Sequence, residues 1–181
     1  MFSDEAAAQL VPNVCRTWAP IGCTPVLEHQ ARRDKISLLG GLCWNPNNGK
    51  CDLILHMYPK ANIDSPKLIV FLEALRQEID GPVTLVWDNL RAHHSKLVQG
   101  YVQDNAAWLE VVFLPPYCPE LNPIEYVWSS WKRTYLANYC PRNTDELCDL
   151  LFDNEQALTD QKLLEGCLLA STLINREDLV R

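Results

Sequence analysis

The alternation of apolar and polar positions divides the chain into elements before any single residue is weighed. Lys35–Trp44 and Cys51–Tyr58 are apolar runs of strand length on either side of Asn45-Pro46-Asn47-Asn48-Gly49, a pattern that predicts a hairpin. In Ser65–Ile79 the apolar residues fall at 68, 69, 72, 75 and 79, in helical phase, with Ser65 as N-cap and Pro66 at the first position. Val83–Trp87 is the apolar, β-branched run expected of a central strand. A helix near His94–Asn105, a strand at Leu109–Leu114 and a helix over 123–138 follow. Helices at Thr144–Leu158 and Asp160–Leu169 finish the pattern. Residues 6–33 read as irregular chain or short strands with turns at Pro20, Gly22 and Pro25, and Met1–Glu5 as the stub of a strand. A hairpin followed by alternating strands and helices predicts an α/β fold, a mixed sheet flanked by helices.

Composition changes this picture little. A chain of 181 residues with 48% hydrophobic and 22% charged content fits one domain with a sizeable core. No apolar run approaches ~20 residues, so no membrane-spanning helix is expected, and the N-terminus does not read as a signal peptide. Eight cysteines are present without a CxxC pair or a Cys/His cluster at ligand spacing. They read as reduced thiols in a cytoplasmic protein, used as small core residues. The net charge of −7 is unevenly spread. Residues 1–143 hold 13 Lys/Arg against 14 Asp/Glu, while residues 144–181 hold 3 against 9. No basic stripe is available to neutralise a run of phosphates.

The candidate chemistry lies in carboxylates at element ends. After the strand 109–114 comes a proline-rich corner, Pro115-Pro116-Tyr117-Cys118-Pro119-Glu120. A helix then starts with Asn122 as N-cap and Pro123 at the first position. Ile124, Val127, Trp128, Trp131 and Tyr135 share its core face, and the tryptophans read as core. Glu125 and Lys132 project at the border of that face. Glu125 either closes a capping box with Asn122 or does chemistry. Asp88 ends the strand 83–87, where α/β folds keep their sites, or else bonds its own turn. Asp4 and Glu5 open the chain. Asn89, His93 and Lys132 are candidates to support these carboxylates. His93 and His94 either meet a phosphate or belong to an ordinary helix N-terminus. Lys132 approaches the site or is solvated. Trp18 stacks on a base or packs in the core.

Three blocks carry a family resemblance. Asp4-Glu5 leads into Arg16-Thr17-Trp18-Ala19-Pro20-x-Gly22-x-Thr24-Pro25, and Trp87-Asp88-Asn89 is followed by His93. Then comes Leu114-Pro115-Pro116-Tyr117-x-Pro119-x-Leu121-Asn122-Pro123-Ile124-Glu125, with Trp128 and Lys132, and 36 residues separate Asp88 from Glu125. The chain resembles the catalytic domain of DDE-type transposases, in the bacterial insertion-sequence branch related to mariner elements. The resemblance implies a ribonuclease-H-like fold and metal-dependent DNA strand cleavage and strand transfer. It implies two Mg²⁺ or Mn²⁺ ions held by Asp4, Asp88 and Glu125, with Asp4 central. It implies DNA partners, element ends and target. Residues 1–150 would form the catalytic domain and residues 151–181 an acidic helical extension of it. The family carries a helix-turn-helix region ahead of the first catalytic strand. Only Met1-Phe2-Ser3 precede Asp4, so the chain reads as a fragment with a truncated first strand, paired with a second copy or a companion chain that carries this region. Two other readings stand beside this one. One is an inactive or domesticated relic acting as an interaction module, and the other a nuclease acting on RNA–DNA hybrids.

Overall fold

The computed structural model describes residues 1–29 and 32–179. Five strands form one mixed sheet in the order β3-β2-β1-β4-β5. They are β1 (Phe2–Gln9), β2 (Lys35–Trp44), β3 (Cys51–Pro59), β4 (Val83–Trp87) and β5 (Leu109–Phe113). β2 runs antiparallel to both β1 and β3, β4 runs parallel to β1, and β5 parallel to β4. The helices are α1 (Ser65–Glu78), α2 (Lys96–Asp104), α3 (Pro123–Thr134), α4 (Thr144–Asp153), α5 (Glu155–Leu158), α6 (Gln161–Ala170) and α7 (Arg176–Leu179).

The sheet separates two apolar cores, as the two-residue period of a strand requires. Ile36, Leu38 and Leu42 of β2 pack with Ile124, Val127, Trp128 and Trp131 of α3, and with Leu147, Leu151, Leu158, Leu164 and Leu168 of the C-terminal helices. Leu39 faces the other way, towards Phe71, Leu72 and Leu75 of α1 and towards Leu85 and Trp87 of β4. Helix α4 runs unbroken past residue 150, so the acidic C-terminal segment shares the α3-side core.

Several expectations change. β1 is not a stub. It runs for eight residues, and every one of them pairs with β2, from Phe2 opposite Leu42 to Gln9 opposite Lys35. Ala6-Ala7-Ala8 has weak strand propensity, and tertiary pairing overrides it. On the β4 side the ladder is short, Phe2 opposite Val86, with the Met1 ammonium donating to the Thr84 carbonyl at 2.9 Å. The α1 N-cap is Asp64, whose carboxylate accepts from the Lys67 N–H. The helix expected over 144–158 breaks at Asn154. The helix expected to reach 138 ends at Thr134. Trp18 is fully exposed, on an irregular loop between β1 and β2, and does not join a core. Near its start that loop is tied down where Asn13 bridges to Ala137 and donates to the Lys132 carbonyl, and where the Cys15 N–H donates to the Asn138 side chain. Gln30 and Ala31 of this loop, and Val180 and Arg181 of the C-terminal segment, lie outside the described residues.

Gly40 and Gly41 sit at the centre of the sheet, where helices press from both faces. A Cβ on Gly40 would stand 2.6 Å from a Trp128 ring carbon. Gly40→Ala should therefore destabilise the protein by about 1–3 kcal/mol through overpacking. Gly100 in α2 has nothing within 4 Å of its missing Cβ, so Gly100→Ala should stabilise by about 0.5–1 kcal/mol. Urea denaturation of the two variants checks the opposite signs.

Candidate active site

Asp4 lies in the central strand, opposite Gly40, and is only 8% exposed. Strand alternation puts it on the α3 side with Phe2 and Ala8. There the Trp128 indole N–H donates to Asp4 Oδ2 at 3.0 Å. Burial pushes the Asp4 carboxyl up to about 8, helped by the charges of Glu125, Glu5 and Asp88 and opposed by the Glu5 backbone N–H. Trp128 is thus both core and site, a role that its apolar helix position alone does not reveal.

Asp88 follows the last residue of β4, two positions past the Phe2–Val86 pair, so it stands level with Asp4 on the neighbouring strand. Its Oδ1 accepts from the Leu90 N–H at 2.9 Å and pairs with His93 Nδ1 at 2.9 Å, a nitrogen that also lies 3.2 Å from the Asp88 backbone carbonyl. The second ring nitrogen of His93, Nε2, lies 2.9 Å from Glu5 Oε1. The His93 side chain is fully buried and its ring stacks on Trp87, centroids 3.9 Å apart. Burial opposes its protonation, but the hydrogen bonds and charges of Asp88 and Glu5 prevail and push it up to about 9. The His93 bond in turn holds the Asp88 carboxyl low, against the effect of burial.

His93, a candidate support for the carboxylates, is a buried link between Glu5 and Asp88. His94 is exposed, stacks on Phe113 and bonds the Asn89 side-chain oxygen at 3.3 Å. Asn89 does not support Asp88. Its amide donates to the Leu114 carbonyl and closes the β4 turn onto the end of β5.

Glu125 sits in the first turn of α3. Asn122 occupies the N-cap position without a side-chain cap bond: its amide donates to the Ser3 carbonyl at 3.3 Å, and its buried Oδ1 has no partner among the described residues. No capping box forms, and among the described residues the Glu125 carboxylate accepts no hydrogen bond. Burial raises the Glu125 carboxyl, Lys132 lowers it and Asp88 raises it further. Lys132 is half-buried and close enough to act on Glu125 electrostatically. The strand end, the neighbouring strand and the helix start thus bring Asp4, Asp88 and Glu125 within electrostatic reach of one another, with Lys132 beside them.

This arrangement fits a hard cation. The donors are carboxylate oxygens, the ligand type of Mg²⁺ and Mn²⁺; burial is the main cause of the raised values at Asp4 and Glu125, and the charges of the neighbouring carboxylates add to it. A tighter group, Glu5, Asp88 and His93, has ligand atoms within 4.8 Å of one another. It does not suit a metal, because each ring nitrogen is already spent on a carboxylate and a doubly protonated imidazole has no lone pair to offer.

Three antiparallel strands continued by two parallel ones, with helices packed on the sheet, make a ribonuclease-H-like fold. Solved structures share it. The Mos1 transposase paired-end complex with left transposon end matches with a TM-score of 0.66 at 18% identity, over 94% of this chain and 54% of that one. The Mos1 mariner paired end complex with Mn matches with a TM-score of 0.67 at 18% identity, over 98% and 54%. The catalytic domain of Mos1 mariner transposase matches with a TM-score of 0.60 at 14% identity, over 99% and 82%. The chain thus spans about half the length of the transposase chains in the two complexes. The family model for DDE superfamily endonucleases matches residues 1–148, and the chain belongs to that family. No curated protein matches it.

Two groups should make stability fall on the alkaline side when no divalent cation is present. Asp4 has a folded value of about 8 against 3.8 when unfolded, so the unfolded state releases its proton first and stability declines as pH rises from about 4 to 8. His93 is held at about 9 against 6.5, so its contribution is complete below pH 6.5 and lost as pH rises through 9. Denaturation in EDTA should show a loss on the order of 5 kcal/mol between about pH 6.5 and 9. Asp4→Asn should remove the decline below pH 6.5 and lessen it up to pH 8, and His93→Gln should remove the decline between pH 8 and 9. An unchanged alkaline limb in both variants would count against this placement of the protons.

Proposed function

We propose that the chain is the catalytic domain of a transposase that cuts and joins DNA strands with the help of divalent metal ions. The observation that carries the reading is the buried Asp4 carboxyl, raised by burial and by the charges of Glu125 and Asp88, within the family match over residues 1–148. Asp4, Asp88 and Glu125 are the ligands, with Asp4 between the other two. When bound, two Mg²⁺ or Mn²⁺ ions supply activation of the attacking water or 3′-hydroxyl and stabilisation of the leaving oxygen. The protein's part is positional. Trp128 fixes Asp4, Asn122 ties the start of α3 to β1, and Lys132 offsets the charge of Glu125 on the side where a phosphate would arrive.

Residues 1–150 form the catalytic domain in this reading, and 151–181 an acidic extension of it. All eight cysteines are free thiols, which supports a reducing, cytoplasmic setting. No helix among the described residues is long and apolar enough to cross a membrane. Recognition of element ends is assigned to a helix-turn-helix region outside residues 1–181.

Nicking of supercoiled plasmid with Mn²⁺ tests the reading. Asp88→Asn and Glu125→Gln should each lower the rate by about 100-fold or more, because metal stabilisation of the transition state is worth several kcal/mol. Nicking that survives Asp88→Asn unchanged would remove Asp88 from the site. Faster cleavage of an RNA–DNA hybrid than of duplex DNA would favour the hybrid-nuclease reading. Residues 1–143 are near neutral, so duplex binding by this chain should be weaker than about 1 μM at physiological salt and without sequence preference. Fluorescence anisotropy with element-end and scrambled duplexes measures both.

A further inference from the structure

Glu5 belongs to the motif that opens the chain, yet the reading above gives it no task. It follows Asp4 in β1 and so points to the opposite face of the sheet. There its Oε1 is 2.9 Å from His93 Nε2, and His93 Nδ1 is 2.9 Å from Asp88 Oδ1. The stack on Trp87, itself fully buried, fixes the plane of the His93 ring. The Glu5 bond fixes its rotation within that plane.

Asp88 is the least constrained of the three carboxylates by secondary structure. It lies beyond the last residue of β4 and its side chain is 45% exposed. Its Oδ1 takes two donors, the Leu90 N–H and His93 Nδ1, while no hydrogen bond reaches Oδ2 among the described residues. One oxygen is pinned and the other is left available, which is the arrangement a monodentate ligand needs. Partners behind a metal ligand commonly set its orientation in this way.

We infer that Glu5 is a positioning residue that acts through His93 to hold Asp88 with Oδ2 presented to the cation. The inference rests on the assignment of Asp88 as a ligand. It differs from a direct ligand role for Glu5, because the Glu5 oxygen is engaged by the ring and the ring by Asp88. In a positioning role, what matters is an oxygen acceptor at this place, not its charge.

Calorimetric titration with MnCl₂ separates these cases, with circular dichroism as the check on folding. Asp88→Asn should lose most of the binding. Glu5→Ala should weaken it by about 10–100-fold, the usual effect of losing such a partner. Glu5→Gln keeps an acceptor for the Nε2–H and should stay close to wild type. Long-range nitrogen–proton spectra of the His93 ring should show two hydrogen-bonded N–H groups in wild type and in Glu5→Gln. If Glu5→Gln proves as damaging as Glu5→Ala, Glu5 acts by charge or as a ligand and the inference is overturned. The same holds if Glu5→Ala binds Mn²⁺ normally while Asp88→Asn does not. If Glu5→Ala fails to fold, the Gln variant and the ring spectrum decide, and a wild-type ring without a hydrogen-bonded Nε2–H overturns the inference. Absence of Mn²⁺ binding by wild type would instead overturn the functional reading, and this inference with it.

Discussion

A carboxylate buried in the central strand is the constraint on which the site depends. Removing Asp4 from water costs several kcal/mol if it is ionised. The Trp128 N–H at 3.0 Å returns about 1–3 kcal/mol, the range for a hydrogen bond to a charged group. The shortfall has to be met by a proton or by a nearby positive charge. The Trp128 bond also dictates packing. For the indole to reach Asp4, the ring must lie over β2 where Gly40 leaves no Cβ, and α3 must cross the sheet at that height. Ile124, Val127 and Trp131 are carried into the core by the same placement. Core and site on this face are therefore one arrangement, not a scaffold with a site added.

Much of this was legible in the sequence where apolar runs are long and their ends are marked. The strands 83–87 and 109–113 and the start of α3 at Pro123 stand where pattern and proline chemistry put them. The mixed sheet followed from their order. β1 was legible only as a stub, because three alanines carry no strand signal and its pairing with β2 is a tertiary fact. The same limit explains Trp18. An aromatic residue in a polar, proline-containing segment says nothing about whether a partner element will cover it, and here none does.

Asp88 and Glu125 stand at element ends, where the sequence put them, but most of the hydrogen bonds around them could not be read there. Asn122 looked like one half of a capping box, yet its amide is drawn to the Ser3 carbonyl across 119 residues of sequence. That leaves Glu125 free of the cap. His93 could be named as a candidate to support the carboxylates, but the contacts with Glu5 and Trp87 that make it a buried bridge are long-range. Local sequence carries caps and turns well. It does not carry a hydrogen bond whose two ends are brought together only by the folded sheet.

The dipeptide Asp4-Glu5 shows why the strand register matters for chemistry. Successive side chains of a strand point to opposite faces, so these two acids serve opposite layers. Asp4 meets Trp128 and α3 on one side, and Glu5 meets His93 and Trp87 on the other. A slip of one residue in the pairing of β1 with β2 would exchange them. Asp4 would then face the histidine, and Glu5 would be forced under the indole. The glycine pair in β2 opposes such a slip, because Asp4 pairs with Gly40 under the Trp128 ring and Ser3 with Gly41 beside Phe71. Both faces need a position without a side chain at this level, Gly40 under the Trp128 ring and Gly41 against the Met1 side chain and Phe71. The packing that sets the register of the sheet is thus the packing that assigns one acid to the cluster and the other to its support.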